Sequence, residues 1–244
     1  MLHRKRALVG IVLLVLITFS VIVLASGANK PFILAVLGQS KNSGNEPFPV
    51  VVQKQRGDSG RTFADWCREK ASLSPEIKYT VEALLEKART TECDAANQIL
   101  SSFLILDLGN NQISDIKPLE SLTNLTWLNL NNNQINDIKP LEFLTNLTRL
   151  GLDNNQISDI KPLEFLTNLN GLFLTNNQIS NIKPLASLTN LIRLYLDNNT
   201  IEDIKPLTSL TNLATLKLSG NAIIPQTCPL KPESICHWEP QPKP

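Results

Sequence analysis

A repeat of 22 residues constrains the fold of this chain more than any other feature. Units begin at residues 103, 125, 147, 169 and 191, and a truncated sixth unit begins at residue 213. They share the pattern L-x-x-L-x-L-x-N-N-x-I-x-D-I-K-P-L-x-x-L-T-N. A fixed period of this length is typical of architectures in which each unit packs only on its neighbours. The repeat therefore predicts a one-dimensional solenoid.

The apolar positions predict how the units stack. In the second unit they are Leu125, Leu128, Leu130, Ile135, Ile138, Leu141 and Leu144. One unit cannot bury seven aliphatic side chains alone, but stacked units can. We expect an α/β repeat fold with six short strands in a parallel concave sheet. Each unit also carries a proline that starts a helical turn on the convex side, at Pro118, Pro140, Pro162, Pro184 and Pro206.

Three polar columns accompany the apolar pattern. An asparagine follows each predicted strand and is expected to bond turn backbone in its own and neighbouring repeats; the column is Asn111, Asn133, Asn155, Asn177, Asn199 and Asn221. Lysines precede the prolines, and aspartates run beside them from Asp115 to Asp203, broken by Asn181. We interpret these charges as a solvated, self-compensating rim, with a polyanion-binding edge as the alternative.

An open solenoid end exposes leucine and isoleucine, so both ends need covers. Residues 62–102 are predicted to form a helical N-terminal cap, with one helix starting at Ser74-Pro75. Residues 225–244 form the C-terminal cap and tail. The four cysteines lie in two separated pairs, which predicts disulfides closing the caps if the chain is exported and free thiols if it is cytosolic. The pairs are Cys67 with Cys93 and Cys228 with Cys236.

The N-terminus predicts export. Residues 3–6 are basic and residues 7–25 are almost wholly apolar, a pattern typical of a secretory signal. The apolar run is also long enough to cross a bilayer as a retained anchor. Residues 1–28 are thus either a cleaved signal peptide or a signal anchor, with the rest of the chain outside the cytoplasm. Residues 29–61 form a flexible linker.

The repeats over residues 103–224 resemble the internalin-type, 22-residue class of bacterial leucine-rich repeats. The stretch T-F-A-D-W-C at residues 62–67, continued to Cys93, resembles the helical cap of cyanobacterial members. The resemblance implies a curved right-handed solenoid, export to the periplasm or cell surface, and recognition of a protein or glycan. The repeats are few, and residues 237–244 carry no wall-anchoring motif, so adhesion to host cells is not implied.

Comparison of the repeats with one another locates a candidate binding surface. Positions two, three, five and seven of the unit vary, and all are expected to project from the concave side. In neighbouring units they place two arginines and three aromatic residues around a glycine, a composition typical of binding hot spots. We predict partner binding by Trp127, Arg149, Gly171, Phe173, Arg193 and Tyr195, with Gly171 leaving a notch for an acidic group.

Other function classes receive little support. His3 lies in the leader and His237 in the predicted tail, so the repeats offer no imidazole for catalysis. A net charge of +1 does not favour nucleic-acid binding, and no cofactor or metal is predicted. The sequence favours a non-enzymatic, extracytoplasmic protein-binding module. The alternatives are a membrane-tethered intracellular scaffold and a glycan- or cell-wall-binding protein.

Overall fold

The computed structural model describes residues 60–238. The predicted signal or anchor at residues 1–28, the linker up to residue 59, and residues 239–244 lie outside the described residues. Within residues 60–238, no helix combines the length and apolar character needed to cross a membrane.

The repeats form one parallel sheet whose strands follow the order of the chain. The five pairings among the repeat strands join residues at the same position of consecutive units, for example Leu128 with Leu150. The solenoid with a concave parallel sheet is therefore confirmed. The strands are β1 (Ile105–Asp107), β2 (Trp127–Asn129), β3 (Arg149–Gly151), β4 (Gly171–Phe173), β5 (Arg193–Tyr195), β6 (Thr215–Lys217) and β7 (Cys236–His237).

Strand β7 corrects the prediction of six strands. It comes from the C-terminal cap, and its His237 pairs with Lys217 of β6. The amide of Leu218 donates to the carbonyl of His237 at 2.9 Å, because an open sheet edge requires only extended backbone and not the leucines of the repeat. His237 therefore belongs to the sheet and not to a tail. The disulfide between Cys228 and Cys236 closes this cap, as predicted.

Short 3₁₀ helices occupy the convex side of the repeats. The proline is the second residue of each helix, which begins at the lysine. The aspartate two residues earlier accepts the lysine's backbone N–H, as in Asp137 with Lys139 at 2.9 Å. The aspartate column thus starts the helices and does more than balance the lysines. The helices span Lys117–Leu119, Lys139–Phe143, Lys161–Phe165, Lys183–Ser187 and Lys205–Ser209.

The asparagine column forms the predicted ladder inside the solenoid. The side-chain amide of Asn177 donates to the carbonyl of Leu152 in the preceding repeat at 3.0 Å and to that of Leu174 in its own repeat at 3.1 Å. Its Oδ1 atom accepts the backbone N–H of Ile157 at 3.0 Å. Asn177 is 9% exposed. One side chain therefore satisfies buried backbone groups in two adjacent repeats.

The N-terminal cap contains three α-helices, where the sequence predicted one. They are α1 (Phe63–Arg68), α2 (Pro75–Ala88) and α3 (Cys93–Ser101). Ser74 caps α2 as predicted. The disulfide between Cys67 and Cys93 is present and joins α1 to α3. Helices of six and nine residues are too short to show a clear apolar period, and α1 depends instead on a capping box formed by Thr62 and Asp65.

The ladder predicts that its interior and terminal asparagines differ in their effect on stability. Replacing Asn177 with alanine leaves buried backbone groups of two repeats unpaired, so we expect it to lower the free energy of unfolding by about 2–4 kcal/mol. Asn111→Ala is the matched control in the same column, because the Asn111 side chain donates only to the carbonyl of Gly109. It should cost less than about 1.5 kcal/mol. Urea unfolding of both variants measures the difference, and equal losses would contradict the ladder.

Candidate partner-binding face

Alternation along the strands decides which side chains face the concave side. In β2 the side chain of Leu128 is fully buried, whereas Trp127 is 42% exposed. Arg149 and Arg193 occupy the same position as Trp127 in β3 and β5 and are exposed. The concave face therefore carries the variable residues, while the constant leucines form the core.

The register brings the predicted residues together. Trp127 pairs with Arg149, Arg149 with Gly171, and Gly171 with Arg193, so these four residues form one row across β2 to β5. Phe173 pairs with Tyr195 in the next row. All six predicted residues thus lie on four adjacent strands. Whether they bind a partner remains a prediction.

An aromatic and cationic cluster forms in the second row. The ring of Tyr195 meets that of Phe173 edge to face, with 5.0 Å between their centroids. The Nζ atom of Lys217 lies 4.2 Å from the Tyr195 centroid, a cation–π contact that holds the ammonium over the ring. His237 follows Lys217 in the same row. Lys217 is not among the binding residues predicted from the sequence, although its position beside Tyr195 follows from the same repeat register.

Gly171 does not leave the predicted open notch. A Cβ atom placed there would lie 3.5 Å from the ring of Phe173 and 3.6 Å from Cγ of Arg149. Phe173 therefore leans back along its own strand and covers the glycine, which is buried. These are ordinary van der Waals distances, so the ring covers the position without requiring a glycine there. We call the surface formed by Trp127, Arg149, Phe173, Arg193 and Tyr195 the ridge, in which Phe173 lies on the strand between those of the two arginines.

The two arginines keep their charges available to a partner. Neither Arg149 nor Arg193 forms an ion pair with any residue of the described part of the chain. Arg149 does not stack on Trp127, since the cation–π contacts among residues 60–238 involve other pairs. Arg149 and Arg193 are separated by two strand spacings, or about 10 Å. This spacing suits two acidic groups or one extended acidic segment.

Position seven is a structural column and not the free binding surface that the sequence suggested. The Oδ1 atom of Asn131 accepts the backbone N–H of Asp153 at 2.8 Å. Asp153 likewise accepts the N–H of Thr175 at 2.7 Å, and Asp197 accepts that of Ser219 at 2.9 Å. These side chains therefore join consecutive repeats along the rim of the concave face. Asparagine and aspartate both supply this acceptor, whereas Gly109 in the same column has no side chain that could.

The two aspartates in this column are partly buried, which disfavours their charged form. Burial raises the pKa of Asp153, although the hydrogen bonds from Thr175 oppose the change. Burial also raises the pKa of Asp197, opposed by the N–H of Ser219 and by the charges of Lys217 and His237. Each aspartate therefore carries its negative charge in a site that favours the neutral acid. Both lie beside the row of Tyr195 and Lys217, where they limit the surface's net positive charge.

Comparison with known proteins places the repeats in a family. The model described as Leucine Rich repeats (2 copies) matches residues 105–143, 123–165, 145–187 and 189–232, which together make up just over half of the chain. No curated protein sequence matches the chain.

Several solved structures are similar. Internalin C2 of Listeria monocytogenes is 40% identical, with 57% of this chain and 71% of that chain covered and a TM-score of 0.49. Internalin F of the same organism is 29% identical, with 69% and 58% covered and a TM-score of 0.53. A leucine-rich-repeat protein of Leptospira interrogans is 30% identical, with 59% and 38% covered and a TM-score of 0.52. The chain thus spans less than two thirds of two of these three proteins.

The raised pKa of Asp153 predicts how stability depends on pH. The folded chain binds the proton of Asp153 more tightly than the unfolded chain, so this group opposes folding above its folded pKa, and the penalty vanishes below its unfolded value near 3.8. Asp153→Asn keeps the acceptor oxygen without the charge. We expect a higher melting temperature than the natural protein at pH 7 and a smaller difference as the pH falls towards 3.8.

The reciprocal substitution provides the control. Asn131→Asp introduces a carboxylate at the equivalent position of the preceding repeat and should lower the melting temperature at pH 7. Calorimetry over a pH series measures both variants. Destabilisation by Asp153→Asn at pH 7 would show that the charge itself holds the repeats together.

Proposed function

Because the chain belongs to the leucine-rich-repeat family, we propose that it is a recognition protein that binds a protein partner on its concave face. Stacked repeats form continuous concave surfaces that suit the binding of another chain. The internalin-like repeat class supports the same function. The single observation that carries the proposal is the pair of exposed arginines, Arg149 and Arg193, on the two strands that flank Phe173.

The chemistry of this ridge defines the partner. Trp127, Phe173 and Tyr195 offer rigid apolar surface that loses little conformational entropy on binding, and aromatic and arginine side chains are enriched among binding hot spots. The arginines add two cations that the described part of the chain does not neutralise. A segment with acidic residues beside an apolar one complements this arrangement in charge and in polarity.

The size of the face limits the affinity. Seven strands at about 4.8 Å spacing extend over roughly 30 Å. A standard interface buries about 800 Å² on each partner, and the ridge offers less area than that. We therefore propose binding of an extended segment or a loop of the partner and not of a broad flat surface. Several copies on one membrane would add avidity.

We also propose that recognition takes place outside the cytoplasm. Both predicted disulfides are present, and such bonds persist in oxidising compartments. The basic and apolar character of residues 1–25 also supports export from the cytoplasm. The competing proposal, an intracellular scaffold, requires all four cysteines to be reduced.

Substitutions on the ridge test the binding proposal. A displayed library of random peptides selected on the protein should enrich sequences that combine acidic and apolar residues. Trp127→Ala and Arg193→Ala should each weaken the selected peptide by about 2 kcal/mol, or roughly thirtyfold. Lys205→Ala, an exposed lysine on the opposite side, should leave the affinity unchanged, and all three variants should keep the natural melting temperature. If Trp127→Ala and Arg193→Ala bound the peptide as tightly as the natural protein does, this face would be ruled out as the binding site.

The redox state of the cysteines tests the location. The natively produced protein is alkylated without prior reduction and its intact mass is measured. We expect no alkyl groups, because all four cysteines are bonded, and the mass also reveals whether residues 1–28 remain. Four alkyl groups would instead place the protein in a reducing compartment.

A further inference from the structure

Among residues 60–238, no strand pairs with the outer edge of β1, the first strand of the sheet. β1 pairs with β2 on one side only, since the sheet begins there. The side chains of Leu104 and Ile105 at this edge are each 58% exposed, and Trp127 on the next strand adds further apolar surface. An exposed strand edge with apolar residues is a template for pairing with another chain.

Equivalence between repeats shows which backbone groups face this edge. The N–H of Trp127 donates to the carbonyl of Leu104 at 3.0 Å, so position three always points its N–H towards the preceding strand. The carbonyl of Asn129 accepts from Leu108 at 2.8 Å, so position five points its carbonyl the same way. In β1 these groups are the N–H of Ile105 and the carbonyl of Asp107. Neither makes a hydrogen bond within residues 60–238.

The two caps cover different parts of the solenoid ends. At the C-terminal end, β7 pairs with β6 and satisfies its edge. At the N-terminal end, α1 and α2 pack on the 3₁₀ helix Lys117–Leu119, and Thr80 donates to the carbonyl of Asp115 at 2.6 Å. The N-terminal cap thus covers the convex side of the first repeat and supplies no strand to the sheet.

We propose that β1 binds an extended segment of a partner protein by strand addition, with an apolar residue opposite Ile105 and a basic residue opposite Asp107. Pairing at the same position would give the added strand the parallel register of the six existing pairs. The carboxylate of Asp107, held by Gly109 and Asn129 at 3.0 and 2.9 Å, lies in the row that faces position five of the new strand. Charge complementarity therefore selects lysine or arginine there.

A second copy of this chain fits the edge less well, because two β1 strands paired through a two-fold axis would run antiparallel and place Asp107 opposite Ile105, with no basic residue to complement the carboxylate. Charged residues on edge strands oppose such self-association. The proposal does not rest on the arginine ridge, which lies on other strands.

A peptide probe tests the proposal on the full-length chain. Its sequence is that of residues 213–219 with isoleucine in place of Thr215, L-A-I-L-K-L-S, capped at both ends, because it offers the edge of an internal strand and places isoleucine opposite Ile105 and lysine opposite Asp107. Hydrogen–deuterium exchange resolved to single residues is measured with and without the peptide. In the free protein, the amide of Ile105 should exchange at least about tenfold faster than that of Trp127, which is bonded to the preceding strand.

Saturating peptide should slow exchange at Ile105 by at least about tenfold. The matched control peptide carries N-methyl groups at the residues copied from Leu216 and Leu218, whose N–H groups would face β1, and it should give no protection. Asp107→Asn keeps the acceptor oxygen, as Asn129 does in the next repeat, and should weaken peptide binding several-fold. Arg193→Ala should have no effect, which separates this site from the ridge.

Three results would overturn the proposal. Slow exchange at Ile105 in the free protein at every concentration would mean that the edge is already covered. Protection that rises with protein concentration alone would make a second copy the occupant. Equal protection by the N-methylated peptide would mean that the peptide adheres through its apolar side chains without forming a strand.

Discussion

The structure depends on the hydrogen bonds made by one asparagine per repeat. A strand of three residues exposes nearly as much backbone at its ends as it pairs, and buried backbone groups that stay unpaired are costly. The amide of Asn177 and its equivalents supply both a donor and an acceptor at that point and reach one repeat back along the stack. This bond allows very short strands to lie in a fully buried core, and it fixes the distance between repeats. The rim column of Asn131, Asp153 and Asp197 repeats the principle on the concave side with an acceptor alone.

The repeat made most of this fold predictable. Five full copies of one pattern specify which leucines are buried, which asparagines bond backbone and which residues become neighbours across strands. The row of Trp127, Arg149, Gly171 and Arg193 follows directly from the 22-residue spacing, and the structure has it. The pairings of the four cysteines could also be predicted, because each pair lies within one cap.

Features outside the repeat were not predictable in the same way. β7 has no leucine pattern, and its pairing depends on backbone alone. The notch at Gly171 disappeared because Phe173 leans over it, and the rotamer of that side chain is not encoded in any spacing. Position seven was mistaken for a free surface because its side chains differ from repeat to repeat, whereas the hydrogen bond there needs only an acceptor oxygen, which both asparagine and aspartate supply. Variation among repeats therefore identifies a binding surface only where the varying atoms are not already bonded to the scaffold.

The ladder also determines how such a protein can change during evolution. Its bonds join equivalent atoms of consecutive repeats, so an in-frame duplication of one whole unit would recreate every bond on both sides of the insertion. An insertion of any other length would break the column and separate the leucines from their layers. The array can therefore grow or shrink only in whole units, and each step moves the ridge at Arg149 and Arg193 by one strand relative to the caps. A lineage carrying this scaffold can adjust the distance between two contact surfaces through recombination alone, with no new fold to be selected.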